Sequence, residues 1–196
     1  MKIKTRKSTP WGVSDYAREI ADGIVCHGTP SHGGIHLSPA RQRVVRQLFP
    51  RFETFAGGAW YEEDCDWAVV VVAFPDDHDP KSLRGAVRMI LGMKGQGNNG
   101  EWLTGTSGWP HVAEWLTGTS QGREILDRVA RTEEELRGQW EVGSMGSPGG
   151  NEYPENCWSV GLTQVGTDER KQVIFSEYPG EIFYTNEEVT RLTYRK

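Results

Sequence analysis

Three of the five histidines in this chain of 196 residues fall in one stretch, "HGTPSHGGIHLSP", His27 to Pro39. An acidic run follows it, "WYEEDCDW", Trp60 to Trp67. Imidazoles beside carboxylates are the raw material of metal sites and of acid–base pairs. Two chemistries are open to these residues. His27 and His36 with one acid of the run, Asp64 first among Glu62, Glu63, Asp64 and Asp66, would offer three ligands to a divalent ion, the kit of a metal-assisted hydrolase. His32 or His36 with Glu62 or Glu63 would offer a general base and its acid. Neither set has a familiar catalytic spacing, since H-E-x-x-H, the P-loop and G-x-S-x-G are all absent. The sequence therefore commits no catalytic or metal residue and calls for no cofactor.

Strand alternation limits the histidines further. A two-residue Gly33-Gly34 turn would pair His32 with Ile35 and Ser31 with His36. His27 and His36 would then share one face and His32 would point to the other. Pro30 cannot donate to a ladder, so such pairing would stop early. The competing structural reading is a latch. Here the glycines make the turn, and Glu62 or Glu63 bonds the hairpin's imidazoles or amides and ties the acid run to it.

The elements that must position these residues follow from capping and period. Ser14 or Asp15 is a candidate cap for a short helix ending before Gly23. "GIVCHGT" reads as a strand. "SPARQRVVRQLF" is a helix with Ser38 as N-cap and Pro39 in the first turn. Between Trp60 and Pro75 a strand rich in valine competes with a helix, and the acidic lead tips the balance to the helix. "DPKSLRGAVRMILGM" is a helix capped by Asp79. "QGREILDRVARTEEELRGQW" is another, with Ile125, Val129 and Leu136 facing inward and a candidate restart at Thr132 and Glu135. "GSMGSPGGN" is a boundary loop, followed by "CWSVGLTQV", "KQVIFSEY" and "EIFYTNEEVTRLTYR" as antiparallel strands. The fold class is thus α+β: an N-terminal β-hairpin with several helices, then a C-terminal antiparallel β-meander. Residues 1–142 form the helix-rich domain and 143–196 the strands, packed on the same domain. No βαβ alternation supports a dinucleotide fold.

"EWLTGTS" occurs twice, at Glu101–Ser107 and Glu114–Ser120. It reads as a duplication held in a loop, or as paired anchors, Trp102 and Trp115, for a partner. Glu124, Asp127, Glu133 and Glu134 add an acidic helix as a second docking candidate.

Charge is uneven: the first fifty residues carry a net +5, and the whole chain -5. This does not mark a general nucleic-acid binder. A local phosphate contact through Arg41, Arg43, Arg46 and Arg51 is the exception; otherwise these form the solvated face of a helix. Cys26, Cys65 and Cys157 are isolated and odd in number, which argues against structural zinc and for reduced thiols in a cytoplasm. "MKIKTRKSTPWG" has no apolar segment behind it, so no signal peptide is expected. "WAVVVVAF" is too short to span a bilayer, so no membrane is expected.

"TPWG", "TPSHGGIHLS" and "WYEEDCDWAVVVVAFP", in that order, resemble an uncharacterised domain family of phage, plasmid and mobile-element proteins. The resemblance spans roughly residues 9–95. It brings no assigned activity, cofactor or catalytic residue. With the absence of a catalytic motif and the acidic balance beyond residue 50, it leads to the expectation of a small accessory protein that docks on a host protein in the host cytoplasm, with a CRISPR effector or another nucleic-acid-processing defence complex as candidate target. The alternative is a metal-assisted hydrolase using His27, His36 and an acid from Glu62 to Asp66.

Overall fold

The computed structural model describes residues 7–92, 109–147, 153–167 and 169–195. The fold is mixed α+β with antiparallel sheets. It divides into two compact units, one holding the described residues up to 132 and the other those from 133 onward.

In the first unit, β1 (Ser8–Thr9) and β2 (Gly12–Val13) form a small hairpin across Pro10 and Trp11. Thr9 Oγ1 donates to Gly12 O at 2.8 Å and accepts from Trp11 N at 3.2 Å, which fixes the turn that presents the indole. β3 (Tyr16–Ala21) then pairs with β4 (Ile24–Gly28). The expected helix before Gly23 is therefore a strand. Asp22 and Gly23 make a two-residue hairpin turn, Gly23 at φ 74°, and Asp-Gly is a strong hairpin signal.

β5 (Gly33–Leu37) pairs with β4 in a different register from the one expected. Gly28 faces Gly33, and His27 faces Gly34. The turn is Thr29–His32, closed by Thr29 N to His32 O at 2.7 Å. The glycines belong to the strand, because Thr29 and Pro30 supply the turn chemistry and both glycines are needed for close approach.

Helix α1 (Pro39–Leu48) starts as its sequence requires, with Ser38 Oγ accepting from Arg41 N. β6 (Trp60–Glu62) completes a sheet in the order β3-β4-β5-β6. The Trp60–Pro75 region is thus both elements in succession, since α2 (Trp67–Ala73) follows at once. Ala68 to Val72 are all buried, so α2 is apolar all round and shows no helical period. α3 (Pro80–Ile90) is capped by Asp79 Oδ1, which accepts from Lys81 N and Ser82 N at 3.0 Å each. One face of the sheet, Ile24, Ile35, Leu37 and Tyr61, is buried, and α1 and α2 pack on β5.

The second "EWLTGTS" copy is helical rather than a loop, split between α4 (Pro110–Gly118) and α5 (Ser120–Leu136). α5 has no restart: Thr132 Oγ1 donates back to Arg128 O at 3.1 Å. The first copy lies outside the described residues.

In the second unit, β7 (Trp140–Gly146), β8 (Trp158–Gln164), β9 (Arg170–Phe175) and β10 (Phe183–Tyr184) form a sheet in the order β10-β7-β8-β9. The expected boundary loop thus begins inside a strand. The last expected strand holds only two strand residues before α6 (Asn186–Leu192), because Thr185 and Glu188 form a full capping box. Trp140, Val160, Leu162, Phe175 and Tyr184 pack with Val189 and Leu192 of α6 into this unit's core.

Candidate functional site

The face of the N-terminal sheet opposite its apolar core gathers the residues of all three resemblance motifs. Side chains across a ladder share a face with their partners. His27, Gly34 and Glu62 form one row, and Val25, His36 and Trp60 the next. Gly34 leaves the centre of this face without a side chain. The Trp11 indole fills it, and a Cβ at Gly34 would collide with that ring and with Tyr61 O. "TPWG", "SHGG" and "WYEE" are therefore one packed cluster.

Its geometry is tight. Trp60 lies 4.5 Å from His36 and 5.2 Å from His27 between ring centroids, and Trp11 meets Trp60 edge-on at 5.9 Å. Lys7 Nζ sits 5.4 Å above the Trp60 ring. His27 is 3% exposed, and its Nδ1 has no hydrogen-bond partner. Burial, then Lys7 and then His36 hold the His27 pKa below the ordinary value; burial and Lys7 do the same for His36. Both imidazoles are neutral near pH 7.

The structure confirms that His27 and His36 share a face, with ring centroids 6.5 Å apart. It does not bring a carboxylate to them in a ligand group: among the described residues the set of that kind is His32, Glu62 and Glu63. The Trp11 ring covers the position between His27 and Glu62. His32 Nδ1 lies 3.9 Å from Glu62 Oε1. Glu62 is buried, and its Oε2 accepts from Asp64 N at 2.7 Å and from Cys65 Sγ at 3.3 Å. Asp64 is exposed and forms no ligand group with His27 and His36 among the described residues. The hairpin and the acid run are joined chiefly by the β5–β6 ladder and Glu63 N to Gly33 O at 3.2 Å, so the tie is backbone more than side chain. The Cys65 thiol is pushed up to about 12 by burial and the Glu62 and Asp66 carboxylates, which removes it as a nucleophile near neutral pH.

The docking candidates fare unevenly. Trp102 lies outside the described residues. Trp115 is half-buried, edge-on to Phe49 at 5.2 Å, and is no free anchor. Glu124, Asp127 and Glu134 are exposed, but Glu133 is buried. It stands four and eight residues after Val129 and Ile125, on the buried stripe of α5. Of the arginines, Arg41 is committed within the fold, bonding Asp77 Oδ2 at 2.7 Å and Asp22 O at 2.9 Å. Arg51 reaches Glu114 at 3.4 Å, while Arg43 and Arg46 are exposed.

Sequence reasoning missed Trp11, Trp60, Lys7 and Phe55. The signal for Trp11 was present, a tryptophan inside a Pro-Trp-Gly turn. Phe55 is 81% exposed, and its backbone N–H donates to the buried Asp66 Oδ2 at 2.7 Å. That bond makes Asp66 an anchor for the 50–58 loop instead of a ligand or catalytic acid. No signal in the sequence links positions 55 and 66.

A family described as a domain of unknown function (DUF7007) matches residues 4–94, somewhat under half of the chain. No curated protein and no solved structure matches the chain. The family match covers the whole cluster of Trp11, His27, Gly34, His36, Trp60 and Glu62, and its description assigns no activity.

Proposed function

We propose that this chain is a small accessory protein of a phage or other mobile element that acts by binding a host protein. The target class is a nucleic-acid-processing defence complex, a CRISPR effector among them, met in the host cytoplasm. No helix among the described residues is long and apolar enough to cross a membrane.

One observation carries the binding reading. Phe55, the most exposed large hydrophobic side chain among the described residues, sits on a loop whose backbone is pinned by a buried carboxylate. A rigidly presented aromatic loses little entropy on binding and suits the centre of an interface. Beside its loop lies a groove of about 460 Å³ lined by Gln42, Arg46, Phe49, Phe52, Glu53 and Tyr61. The exposed Glu124 and Asp127 offer carboxylates to a basic partner, whereas Glu134 is held by Arg137 at 2.8 Å.

The experiment is expression in a bacterium with active CRISPR interference, scored by plating of a targeted phage. The wild-type chain is expected to restore plating and to co-purify with one defence protein in stoichiometric amount. Phe55→Ala is expected to lose both while keeping the circular dichroism spectrum. A wild-type chain that leaves interference intact removes the counter-defence role. A Phe55→Ala chain that keeps partner and effect removes Phe55 as the anchor.

A further inference from the structure

We propose that His32, Glu62 and Glu63 form a binding site for a divalent transition-series cation. One ligand atom from each lies within 4.8 Å of the other two. An ion at ~2.0–2.2 Å from imidazole nitrogen and carboxylate oxygen would draw them together through small side-chain rotations. Two of the three can make those rotations, since His32 and Glu63 are exposed.

The fold prepares each ligand separately. The His32 backbone is clamped by Thr29, whose Oγ1 donates to His32 O at 2.7 Å and accepts from His32 N at 3.1 Å. Glu63 reaches the site because Gly33 has no side chain: a Cβ there would collide with Glu63 Oε2. Glu62 is the anchored member of the set. Its side chain is 8% exposed, and its Oε2 is held by Asp64 N and Cys65 Sγ. Its Oε1 lies 3.9 Å from His32 Nδ1. That separation is too long for a hydrogen bond, and it suits two ligand atoms that share one ion.

The donor set selects the ion. One imidazole with two carboxylates suits manganese, iron or zinc, whereas magnesium and calcium favour all-oxygen sites. Three protein ligands at an exposed turn leave further positions to solvent. The site is distinct from the His27–His36–Trp60 cluster, and it stands whether or not the partner reading does.

The test uses the full chain stripped with a chelator and titrated with manganese chloride, read by calorimetry and by electron paramagnetic resonance. Manganese is the probe because thiols favour softer ions. One saturable site per chain is expected. His32→Ala and Glu63→Gln, both exposed, should each weaken it by at least about tenfold with the circular dichroism spectrum retained. His111→Ala, an exposed histidine elsewhere, should leave it unchanged. Absence of saturable binding by the wild-type chain, or binding that survives His32→Ala and Glu63→Gln, overturns the proposal.

Discussion

The described residues include two four-stranded antiparallel sheets, and the faces of these sheets away from their apolar cores have opposite characters. In the C-terminal sheet that face carries Ser144, Gly161, Thr163, Arg170 and Gln172 around a shallow groove of about 440 Å³. In the N-terminal sheet it carries a buried His27, a half-buried His36 and Trp60, a buried Glu62 and the Trp11 lid. Small polar residues are what a solvated sheet face ordinarily holds. Buried imidazole and carboxylate cost free energy unless they are satisfied. The difference teaches where this chain spends stability on polar groups that packing alone does not require.

The sharpest way to break that contrast is to place a methyl group on each face. Gly34→Ala drives a Cβ into the Trp11 ring and Tyr61 O, and a loss of about 3 kcal/mol in urea unfolding is expected. Gly143→Ala meets only Gly161 O, at 3.8 Å, so a change under about 0.5 kcal/mol is expected. Equal losses would mean that the Trp11 lid is not a packed contact.

Helix caps give a smaller contrast in the other direction. Thr185→Ala removes a reciprocal box, with Glu188 N to Thr185 Oγ1 at 3.2 Å and Thr185 N to Glu188 Oε2 at 2.7 Å. A loss of about 1 kcal/mol is expected. Ser38→Ala removes a single long bond of 3.4 Å, and about 0.5 kcal/mol is expected. Thermal unfolding of the two variants side by side would check the order.

The gentlest effect is one of pH. All five histidines precede residue 112, so residues 133–196 contribute no imidazole titration. His27 has a pKa below its ordinary 6.5, by burial first and then Lys7 and His36. The unfolded chain takes up that proton before the folded chain does. Stability from His27 is therefore complete above the unfolded value and is lost as pH falls through it towards the folded value. His36 and His78 act with the same sign. The Asp66 pKa is raised by burial, which gives the opposite sign at more acid pH. Urea unfolding between about pH 7.5 and 5.5 should show stability falling with pH, and a shallower fall in His27→Gln. An unchanged slope in the variant would show that His27 is protonated as easily folded as unfolded.

Much of the local structure was legible in the chain. Ser38-Pro39 and Asp79-Pro80 start helices where capping chemistry says they must, and Ile125, Val129 and Leu136 face inward at helical spacing. Thr185-x-x-Glu188 was equally legible as a capping box and lost to the strand-like composition around it. Asp22-Gly23 was likewise a hairpin signal overshadowed by a candidate cap. The site was half legible. Alternation correctly placed His27 and His36 on one face, although the assumed turn was displaced by several residues.

What the sequence determined by itself is what depends on neighbours within a few residues: caps, turns, the helical stripe of α5 and the separation of apolar from polar positions. Tertiary structure alone decided the rest. The acidic lead already pointed to a helix at α2, yet Asp66 makes no side-chain capping bond there, and burial on every side lets packing outweigh the propensity of the valines. The indole of Trp11 sits on Gly34, Asp66 holds the Phe55 loop, and Glu62 joins His32 in place of His27. Each of these contacts joins residues 11 to 30 positions apart. Pairing at such range is fixed by register and by which glycine leaves room, and neither is written in local composition.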